Sequence, residues 1–521
     1  MGKKRERNSH PKGEAEESLF ELSEISKNVS LAVDTFRGKV HVEWDPQGAV
    51  TSLGQLAFFV EFLKQGDLFD PWVEDFPVEF VSPNAPRKRD ILGTMLLSVL
   101  SGYNRYSHIT ALRADGVNPD LLGMTKVVSE DSMRRTMLSV VEERGMDWLH
   151  KHLRRCYTPL LTEAWILDVD TTVKVLYGKQ EGAVVGYNPH KPGRPSHTYH
   201  TFMMANLRII LDVEVQPGNQ MASSYTSPDL FAFLDQTPRA YWPQFIRGDS
   251  GFGTDGVMTE AETRGLHYLF KLRASKLVKE LVLRVSQNNE WQFAGLGFDA
   301  QEASIKLTGW KQSRRVVVVR KKVLKEQFVL STENDAGQME IHFAEIKGKM
   351  PAYEYSVLIT SLPDDVMAIA QHYRDRADCE NVFDEMKNQW GWAGFTTHDM
   401  KRCRLMAKTI ALIYNWWSLF VRLAEPSYHL EAITSRPLLL HAVAKQTSHS
   451  GQTRVTITST HGKRETVERL LARVVGFFEE LKSTAEQLTG EQRWLRILSK
   501  AMEGYLKGRL LKPPDFLPAP A

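Results

Sequence analysis

From Trp165 to Leu272 the chain runs through three strand-like segments, a helix, a strand, a second helix and a last strand, an order that few architectures accommodate. The first segment, Trp165 to Leu176, alternates apolar and polar side chains as a half-buried strand does. A Gly- and Pro-rich excursion (Gly178 to Pro195) leads to two more strands, near Tyr199 to Asn206 and Arg208 to Gln216. A short helix (Pro228 to Leu234), a strand ending in Phe245-Ile246-Arg247-Gly248-Asp249, a helix from Gly256 to Arg264 and the strand Tyr268 to Leu272 complete the run. This βββαβαβ order suits a mixed sheet with helices packed on it.

The flanks differ in character. Apolar residues recur at helical spacing from Val50 to Leu63 and from Arg89 to Leu100, and Ser129 is placed to cap a helix carrying Met133 and Met137. An all-helical N-terminal region is therefore expected. In a helix-turn-helix arrangement, Arg105, Arg113, Lys126, Arg134 and Arg135 would supply phosphate contacts. Residues 277 to 360 contain β-branched runs (Val316 to Val319, Tyr355 to Ile359) without a helical period, which predicts a β-rich insertion. Its cluster of Lys311, Arg314, Arg315, Arg320, Lys321, Lys322 and Lys325 is the densest positive stretch in the chain. Such a run is compatible with DNA, and equally with a solvated strand edge that discourages sheet association.

Residues 364 to 392 are expected to form one helix, with Ser361 as its cap, Pro363 in the first turn, and Asp364 and Asp365 at the positive end of the dipole. A further helix spans His398 to Leu423, whose Trp416, Trp417 and Phe420 read as core. From Thr466 onward the chain is mostly helical and ends in a Pro-rich coil.

A chain of 521 residues with 42% hydrophobic content supports several cored domains, and a net charge of +3 is too mild to argue for nucleic acid by itself. Cys156, Cys379 and Cys403 form neither a disulfide framework nor a zinc motif, which fits a reducing cytoplasm. No apolar run is long enough to span a membrane, and the start of the chain lacks a signal peptide's apolar stretch.

The chemistry lies in four residues of the 364 to 392 helix. Tyr373, Arg376, Glu380 and Lys387 (Y-x2-R-x3-E-x6-K) would project within about 60° of one another, while Val382, Phe383, Met386 and Trp390 form a separate apolar face. Taken alone, the stripe could be a wet surface with an Arg376/Glu380 contact. However, Arg before Glu is the weaker order for helix stability, and Tyr373 is a poor choice for plain surface. Phosphodiester cleavage needs two divalent cations about 4 Å apart, held by carboxylates. A central strand, the end of its neighbour and a crossing helix offer Asp170, Asp249 and Glu380. Asp168 and Asp170 face the same side of their strand, so periodicity does not choose between them. Asp249, before Ser250-Gly251, is also a common turn former.

Together these motifs resemble a bacterial insertion-sequence transposase of the DDE group with the Y-R-E-K signature. Asp170-Thr171-Thr172 matches the first-Asp motif, Gly248-Asp249-Ser250-Gly251-Phe252 the second, and Tyr373, Arg376, Glu380 and Lys387 the third. The resemblance favours Asp170 over Asp168. It implies a multidomain α/β fold, with a ribonuclease-H-like catalytic domain interrupted by a β-rich insertion and flanked by helical N- and C-terminal regions. On that basis residues 1–18 are a flexible polar tail and 19–155 a helical DNA-binding domain. The catalytic core occupies 156–276 and 361–425, the insertion 277–360 and a helical C-terminal region 426–521.

The expected activity is cleavage at the element's terminal inverted repeats and transfer of the 3′-OH to target DNA. Asp170, Asp249 and Glu380 would hold Mg2+, for which Mn2+ can substitute. Arg376 and Lys387 would bind phosphate, and Tyr373 would orient a phosphate or pack on a sugar. A homodimer would bring two ends together. The resemblance also implies hairpinned ends and a flipped base, with Trp310 and Trp291 as candidates that read first as structural. The glycine-rich loop with Lys191 and Arg194 could approach a DNA backbone, but it lacks the strand-to-helix placement of a nucleotide-binding loop and reads first as a turn. Three other readings stay open: a nuclease or resolvase that cuts without joining, a catalytically silent DNA binder, and a metal-free recombinase using Tyr373 covalently.

Overall fold

The computed structural model describes residues 30–45, 48–188, 191–220, 222–323, 341–343, 352–458, 462–484 and 488–515. The expected polar tail and Lys325 lie outside these residues. Near the N-terminus come a hairpin of β1 (Leu31–Thr35) and β2 (Gly38–Val42), the short β3 (Val50–Thr51), and the helices α1 (Leu56–Gln65), α2 (Lys88–Leu100), α3 (Glu130–Ser139) and α4 (Glu142–Tyr157), with shorter helical turns between them. The Ser129 cap accepts a hydrogen bond from the Ser132 N–H at 3.2 Å, as expected. An all-helical region is not what forms. Leu31 and Val33 pair with Val42 and Val40 across the hairpin, an alternation the helical reading passed over.

The central run is as the sequence orders it. It comprises β4 (Leu167–Val175), the short β5 (Val184–Val185), β6 (Pro195–Met204), β7 (Ile209–Pro217), α5 (Ala222–Asp235), β8 (Phe245–Gly248), α6 (Asp255–Thr263) and β9 (His267–Lys271). β6 lies antiparallel to β4 and β7, whereas β4, β8 and β9 run parallel. Crossover helices connect the parallel strands, as parallel pairing requires.

The insertion departs from expectation twice. It opens with a helix, α7 (Lys276–Ser286), whose Val278, Leu281, Val282 and Val285 make a buried stripe and whose Ser275 cap accepts from the Val278 N–H. This stripe has the ordinary helical period, although three of its four members are β-branched valines, which by themselves favour strands. The strands β10 (Gln292–Phe293), β11 (Phe298–Ile305), β12 (Arg314–Val323), β13 (Ile341–Phe343) and β14 (Ala352–Thr360) then continue the central sheet. β14 pairs with β9, giving a path β10-β11-β12-β14-β9-β8-β4-β6, with β7 beside β6.

After the insertion come α8 (Val366–Arg374), α9 (Ala377–Asn388) and α10 (Met400–Ala424). α10 is the hub of the core: it is buried nearly end to end and packs against β7, α4 and α1. Trp416, Trp417 and Phe420 lie inside it, as expected. The C-terminal region is not purely helical, since β15 (Ala444–His449) and β16 (Gln452–Ile457) form a hairpin whose first strand pairs with β3. The helices α11 (Arg464–Ser483) and α12 (Gly490–Ala501) then close against α10. No helix among the described residues is long and apolar enough to cross a membrane.

Candidate active site

β4 and β8 run in parallel with Asp168 opposite Arg247 and Val169 opposite Gly248. The next residues along each chain are Asp170 and Asp249, so the two carboxylates leave neighbouring strands side by side, at a strand spacing of about 4.8 Å. Gly248 makes this possible: a Cβ there would meet the Phe252 ring at 2.9 Å and Val169 Cγ2 at 3.1 Å. Asp249 also serves as a turn former, since its Oδ1 accepts the Gly251 N–H at 2.8 Å.

The third carboxylate arrives from the far side of the insertion. The single helix expected over 364 to 392 is in fact two. Asp365, rather than Ser361, caps α8 by accepting the Ala368 N–H at 2.8 Å. Ser361 Oγ instead accepts the Tyr268 N–H, and the Ser361 N–H donates to the Tyr268 carbonyl, which holds this residue beside β9. At residues 375 and 376 the ladder tightens: the Arg376 N–H donates to the Tyr373 carbonyl at 3.1 Å and the Cys379 N–H to the Arg376 carbonyl at 2.9 Å. These are i to i−3 bonds, a local 3₁₀ turn that leaves both residues right-handed and keeps the stripe on one side. Val382, Phe383, Met386 and Trp390 are buried, as the apolar face requires.

Arg376 stands at this joint and ties the strands to the helix. Its guanidinium lies 3.3 Å from Asp170 and 2.5 Å from Glu380. Arg376 is buried while the Glu380 side chain is 60% exposed, so the acidic group opens outward from a covered floor. Burial pushes the Asp170 carboxyl up to about 7; Asp249 and Glu380 push the same way, and the opposing Arg376 does not cancel them. Burial also lifts the Tyr373 phenol to about 12, which leaves it neutral and a poor nucleophile at ordinary pH. Lys387 is lowered by burial, with Asp170 acting against that shift. The six expected residues thus lie near one another, around Asp170 and Arg376.

The donor set suits hard divalent cations: three carboxylates, surplus negative charge and one guanidinium already held between two of them. Elsewhere among the described residues, His150, Asp212 and Glu214 offer ligand atoms all within 4.8 Å of one another, and the Lys408 ammonium already fills that group, 2.5 Å from each carboxylate.

Asp168 is committed elsewhere. Its oxygens accept from Arg247 Nε and Nη2 at 2.6 and 2.7 Å, both side chains being buried. The sequence reading passed over Arg247, although D-x-D and R-x-D in adjacent parallel strands put all four side chains on one face. The three arginines in the basic run of the insertion are also occupied within the molecule. Arg314 pairs with Asp255 and Glu262, Arg315 with Glu302, and Arg320 with Asp299. Trp310 is buried under Arg314, and Arg320 covers Trp291 at 4.0 Å, so both indoles have structural contacts.

A cryo-EM structure of a piggyBac transposase synaptic complex with hairpin DNA is similar at 10% identity, with 89% of this chain and 86% of that one covered and a TM-score of 0.37. No curated protein matches the chain. The family model described as transposase DDE domain group 1 matches residues 85–476. That match takes in the three acidic motifs and most of the chain, and the protein belongs to the DDE transposase family.

Proposed function

We propose that the protein is a cut-and-paste transposase of an insertion sequence, which cleaves the element's terminal repeats and transfers the freed 3′-OH ends to target DNA. The observation that carries this reading is the convergence of Asp170 and Asp249, adjacent in register, with Glu380 through the shared Arg376 guanidinium. In this reading the central sheet, with β7-β6-β4-β8-β9 as its original order, is a ribonuclease-H-like core, and the insertion has been built onto its β9 edge.

Asp170, Asp249 and Glu380 hold two Mg2+ ions, with Mn2+ as a substitute. When bound, the pair supplies Lewis-acid activation of the attacking oxygen and charge stabilisation at the leaving oxygen. Arg376 screens the carboxylates from one another and offers its remaining N–H donors to a non-bridging phosphate oxygen. Lys387, half-buried on the same side, adds a second cation for the phosphate. Tyr373 packs beside the strand being cut and hydrogen-bonds as a neutral phenol. Arg105, Arg113, Lys126, Arg134 and Arg135 are all exposed on the N-terminal helices and turns, which suits them to the DNA backbone. Two copies join two ends in a homodimer.

The test is divalent-dependent cleavage of DNA carrying the element's terminal repeats, followed by joining to a target. Cutting without joining would leave a nuclease, and binding without cutting a silent descendant. Retention of cutting by Glu380→Gln would remove the proposed site.

A further inference from the structure

Arg247 stands on β8 and its side chain reaches two further elements of the candidate site, β4 through Asp168 and α8 through His372. It lies two residues before Asp249 on β8, and its register partner Asp168 lies two residues before Asp170 on β4. Two parallel N–H donations, 2.6 and 2.7 Å long, lock the pair, with 3% and 1% of the two side chains exposed. Its Nη1 donates to the His372 carbonyl in the last turn of α8. In a regular helix that carbonyl would accept the Arg376 N–H, but the tightened turn sends this N–H to Tyr373. The guanidinium thus takes the acceptor that the turn releases.

We propose that Arg247 and Asp168 are positioning residues for metal-dependent strand cleavage. Their fork fixes the separation of Asp170 and Asp249 and holds the turn that presents Arg376 and Glu380 to them. The proposal rests on the transposase reading of the same site. Packing alone does not call for such a pair: two buried charges carry a large desolvation cost, and apolar residues of similar volume commonly pack as well or better. What apolar residues cannot supply is the directional two-bond geometry of guanidinium on carboxylate.

That difference defines the experiment on the full-length chain. The paired replacement Arg247→Met with Asp168→Leu substitutes an apolar contact for the ion pair, and Arg247→Lys keeps the charge but loses the fork. Each is compared with the parent for Tm, terminal-repeat DNA binding, Mn2+ affinity by electron paramagnetic resonance without DNA, and cleavage. The paired variant is expected to hold the parent's Tm and DNA binding while Mn2+ affinity and cleavage each fall about 10- to 100-fold, the range for groups that orient metal ligands. Arg247→Lys is expected to fall in between. A folded paired variant that binds Mn2+ and cleaves like the parent overturns the proposal. If that variant fails to fold, Arg247→Lys decides: unchanged Mn2+ affinity at unchanged Tm also overturns it. A parent that binds Mn2+ but never cuts repeat DNA would refute the transposase reading, while its Mn2+ affinity relative to the variants would still test the positioning role.

Discussion

Two acidic groups in this protein meet opposite electrostatic fates. Around α10, Asp212 and Glu214 close on Lys408, with His150 Nε2 at 3.0 Å from the same ammonium. Burial there pushes Asp212 up, yet Lys408 and His150 outweigh it and hold the carboxyl far below its usual range. At the candidate active site, three carboxylates face one interposed guanidinium, and Asp170 ends near 7. The first group carries its own cation and can stay shut. The second is left short of positive charge, which is the condition for recruiting cations from outside. Spacing alone would mislead, since the closely spaced first cluster is already filled.

The sharpest way to break this contrast is to neutralise one member of each group. Glu380→Gln should lower cleavage of repeat DNA at least a thousandfold, about 4 kcal/mol of barrier, with Tm unchanged, as read by single-turnover assay and thermal melt. Lys408→Met should do the reverse, leaving Glu214 without its cation and Asp212 with His150 alone, and costing about 3–5 kcal/mol by urea unfolding. The effect would vanish if the cluster were wet.

Asp170→Asn probes the same difference through pH. The folded carboxyl titrates near 7 against 3.8 unfolded. Asp170 therefore contributes stability only at low pH, and that contribution is lost as pH rises through 7. In metal-free protein, Asp170→Asn should raise stability by roughly 1–3 kcal/mol at pH 8 and leave it nearly unchanged at pH 4. Asp212→Asn has the opposite sign. Its carboxyl is depressed, so the contribution is present above its unfolded value and lost as pH falls, and the substitution should destabilise at pH 7. Urea midpoints across pH for both variants would check the pair. The smallest effect is expected for Tyr373→Phe, about tenfold or less in cleavage, because a neutral phenol contributes at most a hydrogen bond. Loss of a trapped protein–DNA adduct in that variant would instead favour the covalent tyrosine reading.

Much of this was legible in the chain. Alternation and glycine punctuation exposed β4, the end of β8 and the order of the central strands, because these signals are local. The stripe of Tyr373, Arg376, Glu380 and Lys387 needed only helical phase. The turn at residues 375 and 376 was hidden because it contains neither Gly nor Pro; a distant guanidinium takes the acceptor it frees. The commitment of Asp168 to Arg247 was hidden for the same reason, since that partner lies 79 residues away on another strand. The β1–β2 hairpin and α7 were different: their periods were present and were overlooked, the first for lying among helices and the second for its β-branched residues.

The continuity of β14 with β9 carries one mechanical consequence. An appendage on a flexible tether could swivel and leave the rest undisturbed, but strands in one hydrogen-bonded ladder move as a plank. A load on the outer edge passes through β9 into β8, at whose tip Asp249 stands.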